Sequence, residues 1–126
     1  MAVEGRQVEV ELNTCSQVIS FVRDLEGESA NFYRKLSEKF HRDEEVFGSF
    51  IMENERNFVA IQRVYYGAIS DAMEGCFTFN LDGNNYALRT DIAETASYSG
   101  AVSQAMDMEE RIIKFYLDAG EQSKSL

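Results

Sequence analysis

The sequence predicts an all-α chain: a helical bundle of three long helices, with one long crossover between the second and the third. Three observations carry this. The 126 residues contain no proline and only eight glycines, so little in the chain breaks a helix. Apolar residues recur at three- and four-residue intervals over long windows, which is the period of a helix with one buried face. That period fails in a single internal stretch, "EGCFTFNLDGNNYALRTD" from Glu74 to Asp91, which is dense in turn-forming residues.

The first helix is expected over about 14–41. Asn13 or Thr14 can cap it, and Val18, Val22, Leu25, Tyr33, Leu36 and Phe40 define one face. At 1.5 Å per residue it measures about 42 Å. The second helix is expected over about 43–73, with Asp43, Glu44 and Glu45 at the positive end of its dipole. A turn this short makes the two helices antiparallel. The crossover takes about 74–91, where Gly75, Asp82-Gly83 and Asn84-Asn85 form turns and "CFTFNL" alternates as a short extended piece does. A connection of about eighteen residues is long for a compact domain and suits the crossover that some four-helix bundles use. The third helix is expected over about 97–123, with Val102, Ala105, Met106, Ile112, Ile113 and Tyr116 as its apolar positions.

Composition bounds the rest. The length suits one domain spanning 1–126, and an apolar content of 44% supports a core while being too dispersed for a membrane span. The opening "MAVEGRQVEVELNT" carries acids and no apolar run, so it reads as neither a signal nor a transit peptide, and a cytoplasmic location is expected. A net charge of −10, with the twelve Lys and Arg scattered, leaves no basic footprint for nucleic acid. Cys15 and Cys76 form no C-x-x-C pair, which rules out a four-cysteine metal module, and both are expected to pack as small hydrophobes. His41 is the only histidine and falls at a helix end, where capping or exposure is expected. No G-x-S-x-G, Walker or dinucleotide fingerprint occurs.

A short internal repeat carries the chemistry. "EGESANFY" ends at Tyr33 and "EERIIKFY" ends at Tyr116, so Glu26 and Glu109 precede a Phe-Tyr pair by the same spacing. Seven residues return to nearly the same helix face about 10.5 Å farther on, which puts each Glu in line with its Tyr and with the apolar stripe. A lone Glu in such a stripe is ordinarily a boundary residue, but the repetition points both carboxylates inward. A buried carboxylate then needs a counter-charge, a metal or a shared proton. Between the repeats, "FIMENERNFVAI" sets Asn54 and Asn57 on the face defined by Phe47, Phe50, Ile51, Phe58 and Ile61. Amides buried without partners cost about 1–3 kcal/mol each, so an inward pair implies partners, water or the remains of a polar site.

Glu26 with Phe32-Tyr33, Glu109 with Phe115-Tyr116, and the "FGSFIMENERN" helix between them resemble the rubrerythrin branch of the ferritin-like superfamily. The resemblance implies a bundle in which two helices give one Glu each and two give Glu-x-x-His, together holding two iron ions. Glu26 and Glu109 would then be metal ligands, with Tyr33 and Tyr116 hydrogen-bonding behind them. Laying Phe47 on the family's conserved Phe carries the Glu and His of the second helix onto Asn54 and Asn57, so two ligand positions are substituted. Asn is a neutral, poor ligand for iron. The repeat spacing puts the other Glu-x-x-His at about 137, beyond Leu126, so the fourth helix is expected to be missing or supplied by a partner chain. Three helices built for four expose Val102, Met106, Ile113 and Tyr116, and a homo-oligomer is the expected remedy. Two functions follow: an oligomeric, non-catalytic or partner-binding relative with a degenerate di-iron site, or a di-iron oxidoreductase, reducing peroxide or oxidising ferrous iron, completed by another helix or chain.

Overall fold

The computed structural model describes residues 10–71 and 79–123. Three helices make up most of them: α1 Cys15–Lys39, α2 Glu44–Asp71 and α3 Tyr98–Ser123. The cap of α1 is Thr14, whose hydroxyl accepts from the Gln17 amide at 3.2 Å while the Gln17 side chain accepts from the Thr14 and Asn13 amides at 3.1 and 2.7 Å. This reciprocal box satisfies N–H groups that an uncapped helix leaves open. At the other end the Phe40 amide closes on Leu36 O, and a single 3₁₀ turn, His41–Asp43, leads into α2. That turn is why α1 stops two residues before His41. His41 itself is exposed, 3.7 Å from the Glu44 carboxylate. The far end of the second helix expected at 73, Cys76 and Phe77 lie outside the described residues, whereas Cys15 packs against the core.

The direction of each helix follows from its partners. Ser37 reaches Glu44 O, Tyr33 stacks near Phe47 and Phe50, and Ser29 meets Asn54, so α2 runs antiparallel to α1. Tyr33 meets Glu109 and Glu26 meets Tyr116, so α3 is antiparallel to α1 as well. Hence α2 and α3 are parallel, and the chain between them must travel the length of the bundle. It does so along α3: Asn80 pairs with Gln122 through both its N–H and C=O, the Tyr86 hydroxyl donates to Asp118, and Gln104 donates to Arg89 O and Asp91 O. Lys35 and Lys39 of α1 hold the same strap at Thr90 O and Glu94 O.

The all-α expectation omits one feature. Strand β1, Glu11–Leu12, pairs antiparallel with β2, Leu81–Asp82, and flanking bonds from Gly83 N to Val10 O and from Phe79 N to Asn13 O extend the ladder. Two residues per strand are too few for a period to be visible, and the pairing joins segments far apart in sequence. The ladder ties the approach to α1 onto the crossover, with Leu12 and Leu81 turned into the core. No helix among the described residues is long and apolar enough to cross a membrane.

The core falls into two apolar clusters stacked along α1. One gathers Val18, Val22 and Leu25 with Phe79, Leu81 and Phe115; the other gathers Phe32 and Leu36 with Phe47, Met108 and Ile112. Between them, at the level of Glu26, Ser29 and Asn54, the buried side chains are polar.

Candidate functional site

The polar layer is where the sequence repeat converges. Because α1 and α3 are antiparallel, the two Glu and Tyr positions cross over: the Tyr33 hydroxyl donates to Glu109 Oε2 at 2.6 Å, and the Tyr116 hydroxyl donates to Glu26 Oε2 at 2.5 Å. Each helix thus supplies the acceptor for the other's donor, and identical seven-residue spacings keep both pairs in register. Asn54 of α2 completes the layer. Its Nδ2 donates to Glu26 Oε1 at 2.6 Å, and its Oδ1 accepts from the Ser29 hydroxyl at 3.3 Å.

Glu26 is 2% exposed and Asn54 4%, so these bonds form away from water. Both oxygens of the Glu26 carboxylate have a protein donor. An amide at position 54 can offer N–H to an anion while taking a hydroxyl on its other end, which neither Asp nor Glu could do when ionised. Among the described residues, no ion pair involves Glu26 or Glu109, and no buried side-chain N or O is left without a hydrogen bond. The tyrosines feel this setting. Burial, then the hydrogen bond to Glu109 and that carboxylate's charge, pushes the Tyr33 phenol well above its ordinary value. Burial, the bond to Glu26 and the charges of Glu26 and Glu109 do the same to Tyr116. Both therefore stay protonated as donors at any physiological pH.

Asn57 departs from expectation. It is exposed, on the wall of a groove, and does not share the buried layer with Asn54. Three residues leave it about 60° around the helix from Asn54, which here takes its side chain over the edge of the face packed on α1. Phe50 likewise lies 41% exposed instead of in the core. The groove, about 650 Å³, runs between α2 and α3 over a floor of Tyr33 and Leu36 from α1. Val46, Phe50 and Asn57 line one wall, and Val102, Met106 and Glu109 the other. Ser29 is the member of the layer that the sequence reading missed. Its place at i+3 from Glu26 and i−4 from Tyr33 was the available signal, since that spacing puts it on the same face.

The residues present do not fit the di-iron centre that the family resemblance implies. Such a centre takes four carboxylates and two imidazoles, whereas position 54 presents a neutral amide in N–H donor orientation, and Glu26 and Glu109 already accept hydrogen bonds from protonated phenols. Among the described residues, no group of three or more His, Cys, Asp or Glu side chains is placed to hold a metal ion. Comparison with known proteins adds no relative: no family model matches the chain, and no curated protein and no solved structure matches it.

Proposed function

We propose that the chain is a ferritin-like, rubrerythrin-like bundle in which a hydrogen-bonded layer has taken the place of the di-iron site, and that it serves as a non-catalytic module that associates with other copies. The reading rests on one observation above all: Glu26, the carboxylate expected to bind metal, has both oxygens held by Asn54 and Tyr116. In this reading the layer's work is structural. Sliding α1 against either neighbour by one turn would bury Glu26 without its donors, and an uncompensated buried carboxylate costs several kcal/mol, about 3–5 when a partner is lost. One carboxylate therefore specifies the register of all three helices.

Association is the part of the function that reaches beyond the chain. Met106, Ile113 and Leu117 of α3 are 61%, 54% and 67% exposed, and Val46 and Phe50 of α2 line the groove opposite Met106. A contiguous apolar stripe of this kind marks an interaction surface. The test is to add ferrous iron anaerobically to protein purified without chelator, remove unbound metal, and then admit peroxide or air. The protein should retain no stoichiometric iron and should consume peroxide or oxidise iron no faster than buffer does. Two irons per chain with turnover would refute it. Sedimentation of the same preparation should show an assembly larger than a monomer at micromolar concentration.

A further inference from the structure

The groove and one other surface of the same chain have complementary chemistry. Among the groove's lining residues are three carboxylates, Glu53, Glu109 and Glu110, and not one Lys or Arg. Its exposed apolar stripe continues along α3 past the groove to Leu117. The groove wall from Tyr98 to Glu110 is about 18 Å of helix, longer than a small ligand and suited to about twelve residues of an occupant helix. An occupant must therefore be helical, apolar along one stripe and positively charged beside it.

α2 itself presents such a stripe. Met52, Arg56, Val59, Ala60 and Arg63 line a shallow surface depression, with Met52 54% and Val59 44% exposed. At 100° per residue these positions share one face, which lies about 140° around the helix axis from the face lining the groove. Glu55 borders the depression but lies 3.9 Å from Arg34 of α1, while among the described residues neither Arg56 nor Arg63 takes part in an ion pair. A groove-to-groove dimer, by contrast, would bring Glu53, Glu109 and Glu110 against their own copies, and like charges brought together at an interface oppose it.

We infer that the groove between α2 and α3 of one copy receives the outer face of α2 of a second copy, so that Met52 and Val59 enter the apolar channel and Arg56 and Arg63 meet Glu53 and Glu110. The inference deepens the association proposed above and rests on it. Because groove and stripe are different surfaces on different faces, the contact is head-to-tail, and repeated use builds a ring or an open chain instead of a closed two-fold dimer.

The experiment uses two charge-reversed proteins, Arg56→Glu with Arg63→Glu, and Glu53→Lys with Glu110→Lys, followed by sedimentation velocity over a concentration series. All four residues are exposed, and circular dichroism checks that each protein is folded. The parent should form species larger than a dimer that weaken in high salt. Each variant alone should be monomeric, since each has lost one of the two faces. Mixed in equal amounts they should assemble again, because the first's unchanged groove takes the second's unchanged stripe and the first's now acidic stripe meets the second's now basic groove. If both variants assemble as the parent does, this interface is wrong while association itself stands. Folded variants that are each monomeric but fail to pair on mixing also overturn it. A parent that stays monomeric throughout removes both the interface and the association it rests on.

Discussion

Glu26 is the residue on which the most depends, because its two oxygens take donors from two different helices. Removing either donor leaves a buried acceptor short of a partner, which costs about 1–3 kcal/mol. Tyr116→Phe and Asn54→Ala should each lower stability by that order in urea unfolding. Because both act on one carboxylate, the double variant should depart from additivity by about 0.5–3 kcal/mol. The phenols also set a pH limit. Tyr33 and Tyr116 hold their protons in the folded chain far above the pH at which the unfolded chain releases them, about 10. Their contribution is complete below that pH and is lost as pH rises, because there the unfolded state binds fewer protons than the folded one. Stability should thus fall steeply above about pH 10, and Tyr116→Phe should make that fall shallower by about 1.4 kcal/mol per pH unit, one proton's share. Urea midpoints taken between neutral and strongly alkaline pH decide this. The Glu and Tyr positions were legible in the sequence, since a seven-residue spacing identifies a helix face without any knowledge of the partner. The crossed pairing was not, because it depends on α1 and α3 being antiparallel. Asn57 misled because a three-residue step is compatible with one broad face in a sequence pattern, yet here it crosses the edge of the buried stripe.

At the scale of elements, the helices were readable and their terminal details were not. Asn13 and Thr14 were equally good caps on composition, and only the bond geometry selects Thr14. Thr14→Ala should cost about 1 kcal/mol, the usual loss for such a cap, measured as a lower thermal midpoint. The crossover was visible as a break in periodicity, but its function as a strap along α3 rests on long-range bonds from Gln122, Asp118 and Gln104 that no local pattern encodes. At Gly83 the strap lies tight against Val10 and Phe21: a Cβ there would lie 2.5 Å from Val10 Cγ1 and 2.8 Å from the Phe21 ring. Gly83→Ala should destabilise the chain by about 1–3 kcal/mol, as overpacking does. A variant that melts with the parent would show that Val10 and Phe21 yield freely. Of the two-stranded ladder beside it, an extended piece reaching Leu81 was legible, but its pairing with Glu11–Leu12 was not, since that joins segments far apart in sequence.

The whole molecule is two apolar clusters separated by a polar layer and opened on one side by a groove. Of the four α3 positions expected to be exposed for want of a fourth helix, Met106 and Ile113 are exposed, whereas Val102 and Tyr116 are half-buried and Leu117, not foreseen, extends the stripe. The placement of Glu53 and Glu110 in the groove and of Arg56 and Arg63 on the outer face of α2 was not legible, because it depends on how the helices pack. The claim on which the account turns is that Glu26 is bound by Asn54 and Tyr116 and is not a ligand awaiting metal. Nuclear magnetic resonance of the Asn54 side-chain amide, recorded as ferrous iron is added without oxygen, tests it most directly. The amide protons should exchange slowly, as buried donors to a carboxylate do, and their signals should neither shift nor broaden at stoichiometric iron. Loss of the Asn54 resonances on adding one or two equivalents of iron would place a paramagnetic ion beside Glu26 and contradict it.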